Sequence, residues 1–90
     1  MIFMNKHLNF VKGYNGSLEE LADAIGYMRY EQTSIFIEKL AANIKKQSDA
    51  DKVKGRTKLS NKLLSCSTKL YEAKKEMDDA WNICIPFMKE

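Results

Sequence analysis

The side chains of this chain that could act as nucleophiles, metal ligands or proton carriers are few and scattered. There is one histidine, His7, and there are two cysteines, Cys66 and Cys84. If both cysteines sit on one helix they stand about 27 Å apart at 1.5 Å per residue, far beyond the roughly 7 Å that a disulfide allows between Cα atoms. No Cys/His spacing of a zinc site occurs, nor a phosphate-cradling glycine loop, a nucleophile elbow or a helical His-Glu motif. The acidic pairs Glu19-Glu20 and Asp78-Asp79 are adjacent in sequence. On helices such neighbours point about 100° apart, so a solvated face explains them better than a general acid–base pair. An enzyme is not expected, and neither a metal nor a cofactor is called for.

Charge offers a different chemistry. Between Lys45 and Lys69 lie eight basic residues (Lys45, Lys46, Lys52, Lys54, Arg56, Lys58, Lys62 and Lys69) against Asp49 and Asp51, a local balance of +6, while the rest of the chain sums to −3 and the whole to +3. A basic tip of this kind can release counterions from a nucleic acid or pair with an acidic protein surface. Lys52, Lys54, Arg56, Lys58 and Lys62 are the candidate anion contacts. Residues 45–69 contain no aromatic side chain to stack on bases, which disfavours single-strand binding.

A second nucleic-acid signal lies in residues 17–37. Leu21-Ala22, Ile25-Gly26 and a following helix carrying Ile35 resemble the helix-turn-helix pattern of DNA-binding proteins. In that pattern the small residue admits the second helix, the glycine makes the turn, and the first residues of the next helix meet base edges. The resemblance implies Arg29, Tyr30, Gln32 and Thr33 as the readers.

The elements that would position these groups are helical. Leu59, Leu63, Cys66, Leu70, Ala73, Met77, Ala80 and Cys84 step by four and three without a miss, a spacing that keeps one stripe of an α-helix against a partner. Both cysteines fall on this seam and are expected to be buried thiols that pack as small apolar groups. With 44% hydrophobic residues, one proline and four glycines, the composition favours long uninterrupted helices. No apolar run approaches a membrane span. Met1-Ile2-Phe3-Met4 is followed at once by Asn5, Lys6 and His7, unlike a secretory leader, so the expected compartment is the cytoplasm.

Residues 1–16 read as an apolar arm, helical or extended, with Met4 an alternative start and Gly13-Tyr14-Asn15-Gly16 a break. Helices are expected near 17–28, 30–54 and 57–85. Ser17 and Glu20 form a capping box, and Gly26 marks the end of the first helix. Phe36, Ile37, Leu40, Ala41 and Ile44 give the second an apolar face. Beyond it Gln47, Ser48 and Asp51 continue the seam as polar residues, so fraying or solvent-exposed pairing is expected there, with Val53 a last apolar anchor. Gly55 stops the second helix and Thr57 is the expected N-cap of the third. Pro86 ends the third helix and should push Ile85 out of the α region.

A turn centred on Gly55 and Arg56 would set Leu70 opposite Ala41 and Ala73 near Glu38. The end of the third helix would then overhang and be covered by the first. The fold class expected is therefore all-α: a long antiparallel helical hairpin with a short N-terminal helix packed on it, a three-helix bundle in one domain spanning 1–90.

The third helix carries more apolar surface than one seam uses. Leu64, Tyr71, Trp81 and Ile85 lie on its flank and are the interface candidates. Ninety residues are close to the size at which a single core barely offsets lost chain entropy, so a homodimer or a protein partner is expected. The leading functional expectation is a small cytoplasmic helical module acting by self-association or protein–protein interaction. The second is a small DNA-binding protein using residues 17–37 or the basic tip.

Overall fold

A computed structural model describes residues 7–88. Among them the chain forms three α-helices, α1 (Leu18–Gly26), α2 (Tyr30–Val53) and α3 (Thr57–Cys84), closed by a 3-10 turn over Ile85–Met88. Helices α2 and α3 pack antiparallel along their length and α1 rests against α2. This is the expected all-α hairpin with a short N-terminal helix. The opening residues 1–6 of the arm lie outside the described residues. Residues 7–17 contain no helix; a turn closed by the Tyr14 amide on the Val11 carbonyl at 3.1 Å carries Gly13 at φ 83°.

The start of α1 follows from its first four residues. The Glu20 amide donates to Ser17 Oγ at 3.0 Å and the Ser17 amide donates to Glu20 Oε1 at 2.9 Å, completing the capping box. The end of α1 differs in mechanism from the expectation. Gly26 keeps a negative φ as the last helical residue, and the cap is Tyr27, whose amide reaches the Asp23 carbonyl at 2.9 Å.

Gly55 does end α2, at φ 79°. Its amide donates to the Lys52 carbonyl at 3.0 Å and the Arg56 amide to the Asp51 carbonyl at 2.9 Å, the paired bonds of a Schellman turn. The turn is so short that Thr57 is already inside α3. Arg56 stands at the N-cap and makes no side-chain cap, so Thr57 is not the cap. At the far end α3 stops before Pro86 as expected, but Ile85 keeps α-region dihedrals (φ −46°, ψ −48°) because the chain tightens into the 3-10 turn instead of extending.

The tight turn also changes the register. Ser67 Oγ donates to the Ala41 carbonyl at 2.8 Å, so Ser67, not Leu70, lies level with Ala41. Ser48 and Ser60 bond each other near the tip, and Ser34 lies level with Lys74 near the base, its hydroxyl 3.4 Å from the Lys74 carbonyl. Ala73 is therefore not beside Glu38. These contacts come from Ser34, Ala41 and Ser48 on α2 and from Ser60, Ser67 and Lys74 on α3, each series spaced by seven, the repeat that keeps one line of a helix against its neighbour. Small side chains along the line admit the facing backbone, and the serine hydroxyls bond its carbonyls.

This line runs through the polar half of α2, which does not fray. Ser48 is nearly fully buried and helical structure continues to Val53. Val53 itself anchors nothing, being 87% exposed. Among the described residues Ala41 is the only fully buried hydrophobic side chain; Thr33, Ser34, Ser48, Ser60 and Ser67 are the others buried.

A candidate interaction surface

The Cα atoms span 56 × 29 × 14 Å. Cα atoms of one helix span only about 4.6 Å across its axis and packed helices stand about 8–10 Å apart, so a thickness of 14 Å is that of two packed helices, and part of the chain is stacked against the α2–α3 hairpin.

What each face displays follows from 100° steps around each helix. On α3, Ser60, Ser67 and Lys74 point at α2. Leu63, Leu70, Met77 and Cys84 lie to one side of that line, and Leu59, Cys66, Ala73 and Ala80 lie further round the same side, outward from the hairpin. The α3 seam is thus split. Its larger members are half-buried beside α2, whereas Leu59 and Cys66 are exposed and Ala73 and Ala80 half-buried. Cys66 is not a buried thiol, and Cys84 is only half-buried; both are free. The shift arises because the serines, not the apolar seam, take the closest approach to α2.

Antiparallel helices related by a local two-fold normal to the plane of the hairpin present equivalent positions on the same face. Ile37, Ile44, Leu40 and Phe36 of α2 therefore join this α3 surface. Ile37 and Ile44 are half-buried, and Phe36 and Leu40 are each 40% exposed. The middle of one face is consequently apolar across both helices, level with Ala41 and Ser67; on α2 its rows end in Thr33, bonded to the Ile25 carbonyl of α1, and in Gln47 and Asp51, which line a cleft with His7.

The flank candidates fall elsewhere. Leu64, Tyr71 and Ile85 form a row on the opposite face, 39–42% exposed. Ile35 of α2, 41% exposed, lies on the same face, and the row is interrupted by Asp78, which accepts from Ser34 and pairs with Lys74 at 2.6 Å. The Lys74 ammonium and then the Ser34 hydroxyl hold the Asp78 carboxyl below its usual value, and the same Asp78 contact raises Lys74.

Trp81, the fourth candidate, is half-buried with the Arg29 guanidinium 5.0 Å from its ring centroid. The loop that follows α1, rather than α1 itself, thus meets the overhanging end of α3. Tyr27, Met28, Arg29, Tyr30, Trp81 and Cys84 line a cleft there of about 240 Å³.

Of the residues that the helix-turn-helix resemblance singles out, Arg29 stacks on Trp81 and also approaches Glu31 at 3.4 Å. Thr33 is buried and donates to the Ile25 carbonyl at 2.7 Å, fastening α1 to α2. Tyr30 and Gln32 remain exposed. The basic candidates do gather at the tip. Lys52, Lys54, Arg56 and Lys58 surround the turn with Lys62 one turn further, all exposed. Arg56 is paired with Asp51 at 3.1 Å, and Lys45 with Asp49 at 3.0 Å. His7 reaches this end of the molecule, lining a cleft of about 280 Å³ with Gln47, Ala50, Asp51, Lys54 and Arg56.

Among the described residues no three His, Cys, Asp or Glu side chains come together as metal ligands, and no helix is long and apolar enough to cross a membrane. The fold and the surface define a three-helix bundle dominated by a long hairpin, with exposed apolar side chains on one of its faces. Comparison with family models, with curated proteins and with solved structures finds no match to the chain.

The buried serines are the functional feature that periodicity of apolar residues passes over. A usable signal was present: Ser34-Ala41-Ser48 and Ser60-Ser67 are small residues seven apart, the spacing of a close helix–helix approach.

Proposed function

We propose that the chain is a protein–protein interaction module and that its working surface is the apolar face built from Phe36, Ile37, Leu40 and Ile44 of α2 with Leu59, Leu63, Cys66, Leu70, Ala73 and Met77 of α3. One observation carries the reading: Ala41 is the only fully buried apolar side chain among the described residues, while Phe36 and Leu40 of α2 and Leu59 and Cys66 of α3 are exposed on this face. Exposed apolar side chains gathered on one face mark an association site. The Leu64, Tyr71 and Ile85 row holds Asp78 in its middle, so it supports the reading less well. An exposed, unpaired Cys66 suits a reducing compartment, which makes the cytoplasm the proposed setting.

The test compares single charges on the two faces. Leu40→Glu and Ala73→Glu are expected to keep the helical circular dichroism and to abolish both concentration-dependent association and the binding of an apolar fluorescent dye. Leu64→Glu should leave both intact. The reverse pattern, in which only the Leu64 change matters, would overturn the assignment of the face.

A further inference from the structure

We infer that the outer edge of α3, over the half of the helix nearest the hairpin tip, is a second binding surface and that its ligand is duplex DNA held by its phosphates. The inference does not rest on the apolar face, because the residues concerned point away from α2.

Position around the helix is the first argument. Counting about 100° per residue from Ser67, which meets the Ala41 carbonyl of α2, places Lys58, Lys62, Ser65 and Lys69 within about 40° of the opposite direction. All four are exposed, and so is Asn61 beside them. Helix α1 packs on α2, and His7 lines its cleft with the tip end of α2 and Arg56, so the described part of the N-terminal region lies away from this edge.

Charge is the second. No acidic residue occurs from Lys52 to Tyr71, a stretch that holds Lys52, Lys54, Arg56, Lys58, Lys62 and Lys69. Lys45 is paired with Asp49 and Arg56 with Asp51, whereas Lys58, Lys62 and Lys69 make no ion pair among the described residues. Glu72 and Glu76 end the basic edge toward the base of the hairpin. From Lys58 to Lys69 it is about 16 Å long at 1.5 Å per residue.

The chemistry of the edge selects the ligand. Duplex DNA carries one phosphate charge per about 1.7 Å of its axis, so an edge of this length faces on the order of ten of them. A single helix, about 10–12 Å across, also fits the B-form major groove, about 12 Å wide. Lys58, Lys62 and Lys69 then reach phosphates, and the short Asn61 and Ser65 stand nearest the base edges. The deep, narrow major groove of an RNA duplex does not admit a helix in this way. The edge has no aromatic ring for a single strand to stack on and no apolar side chain to enter a lipid surface.

Fluorescence anisotropy of a short labelled DNA duplex titrated with the full chain tests the assignment. Binding is expected at low salt and should weaken steeply as salt rises. Lys58→Gln, Lys62→Gln and Lys69→Gln combined should lower the slope of log K against log salt by about 2.7, at about 0.9 per phosphate contact, with helical circular dichroism retained. Lys12→Gln, Lys39→Gln and Lys75→Gln combined remove the same charge from other exposed positions and should bind as the parent chain does. Equal weakening in both triple variants would show that net charge alone attracts the duplex and would overturn the edge. Polyglutamate or anionic lipid vesicles bound as tightly as the duplex at the same salt would overturn DNA as the ligand, as would a duplex that is not bound at all. An RNA duplex should bind more weakly, and equal binding would overturn docking in the major groove.

Discussion

Ser48 and Ser60 each place a hydroxyl on the other's backbone carbonyl, at 2.8 and 2.9 Å, across the antiparallel α2–α3 interface. The exchange needs the two helix backbones close together at that level. It occurs where apolar periodicity in α2 has already run out, and with Ser67 on Ala41 and Ser34 on Asp78 it sets the register of the hairpin.

The first expectation concerns that contact. Ser48→Ala removes one donor and is expected to cost about 1 kcal/mol, the usual net value of a hydrogen bond. Ser48→Leu inserts volume where the backbones approach and should cost about 1–3 kcal/mol or more. Urea unfolding of both variants checks the order. A leucine variant at least as stable as the alanine would show that close approach is not what the serines provide.

Two glycines should respond in opposite directions. Gly55→Ala forces a side chain into a left-handed conformation at φ 79° and is expected to destabilise by about 1–2 kcal/mol. Gly26 is helical, and a Cβ there meets nothing within 4 Å. Gly26→Ala should therefore stabilise by up to about 1 kcal/mol. Thermal melts of the pair give the comparison.

Asp78 makes stability depend on acid. Its folded-state pKa is lowered by Lys74 and then by Ser34, so its contribution is fully present above the unfolded value near 3.8 and is lost as pH falls through the lower folded value. The melting temperature should decline below about pH 4, and Asp78→Asn should flatten the part of that decline that belongs to this group. An unchanged acid profile in Asp78→Asn would remove the linkage.

At the base of the hairpin, Arg29→Ala removes the cation from the face of Trp81. The expected loss is about 0.5–1 kcal/mol for a partly exposed pair. Tryptophan emission should shift to longer wavelength as the ring gains solvent, whereas Arg29→Lys should hold an intermediate position.

Much of the fold was legible because it depends on neighbours in the chain. The Ser17/Glu20 capping box, the Gly55 stop and the Pro86 boundary are local chemistry, and each appears where those residue types place it. The departures share one cause. Apolar periodicity aligns Leu70 with Ala41 and places Cys66 in the core and Ser48 on a polar fringe, whereas the helices meet along their small residues. Periodicity reports which residues share a stripe, but it does not say which edge of a wide stripe faces the partner. The candidate site was legible to the same degree: the α3 seam was visible, but its division between a half-buried side and an open one was not.

The sequence by itself determined the three helices, their order, their ends within a few residues and the concentration of positive charge at one tip, because dihedral preference, capping and charge are properties of short stretches. Only the tertiary structure decided the register and the faces. Those depend on the short Schellman turn and on the closest approach of two backbones at Ser48–Ser60 and Ala41–Ser67, contacts between residues 12 and 26 positions apart. Serine is as good there as a larger apolar residue would be poor, since at that distance the facing carbonyl has room for a hydroxyl and for little else.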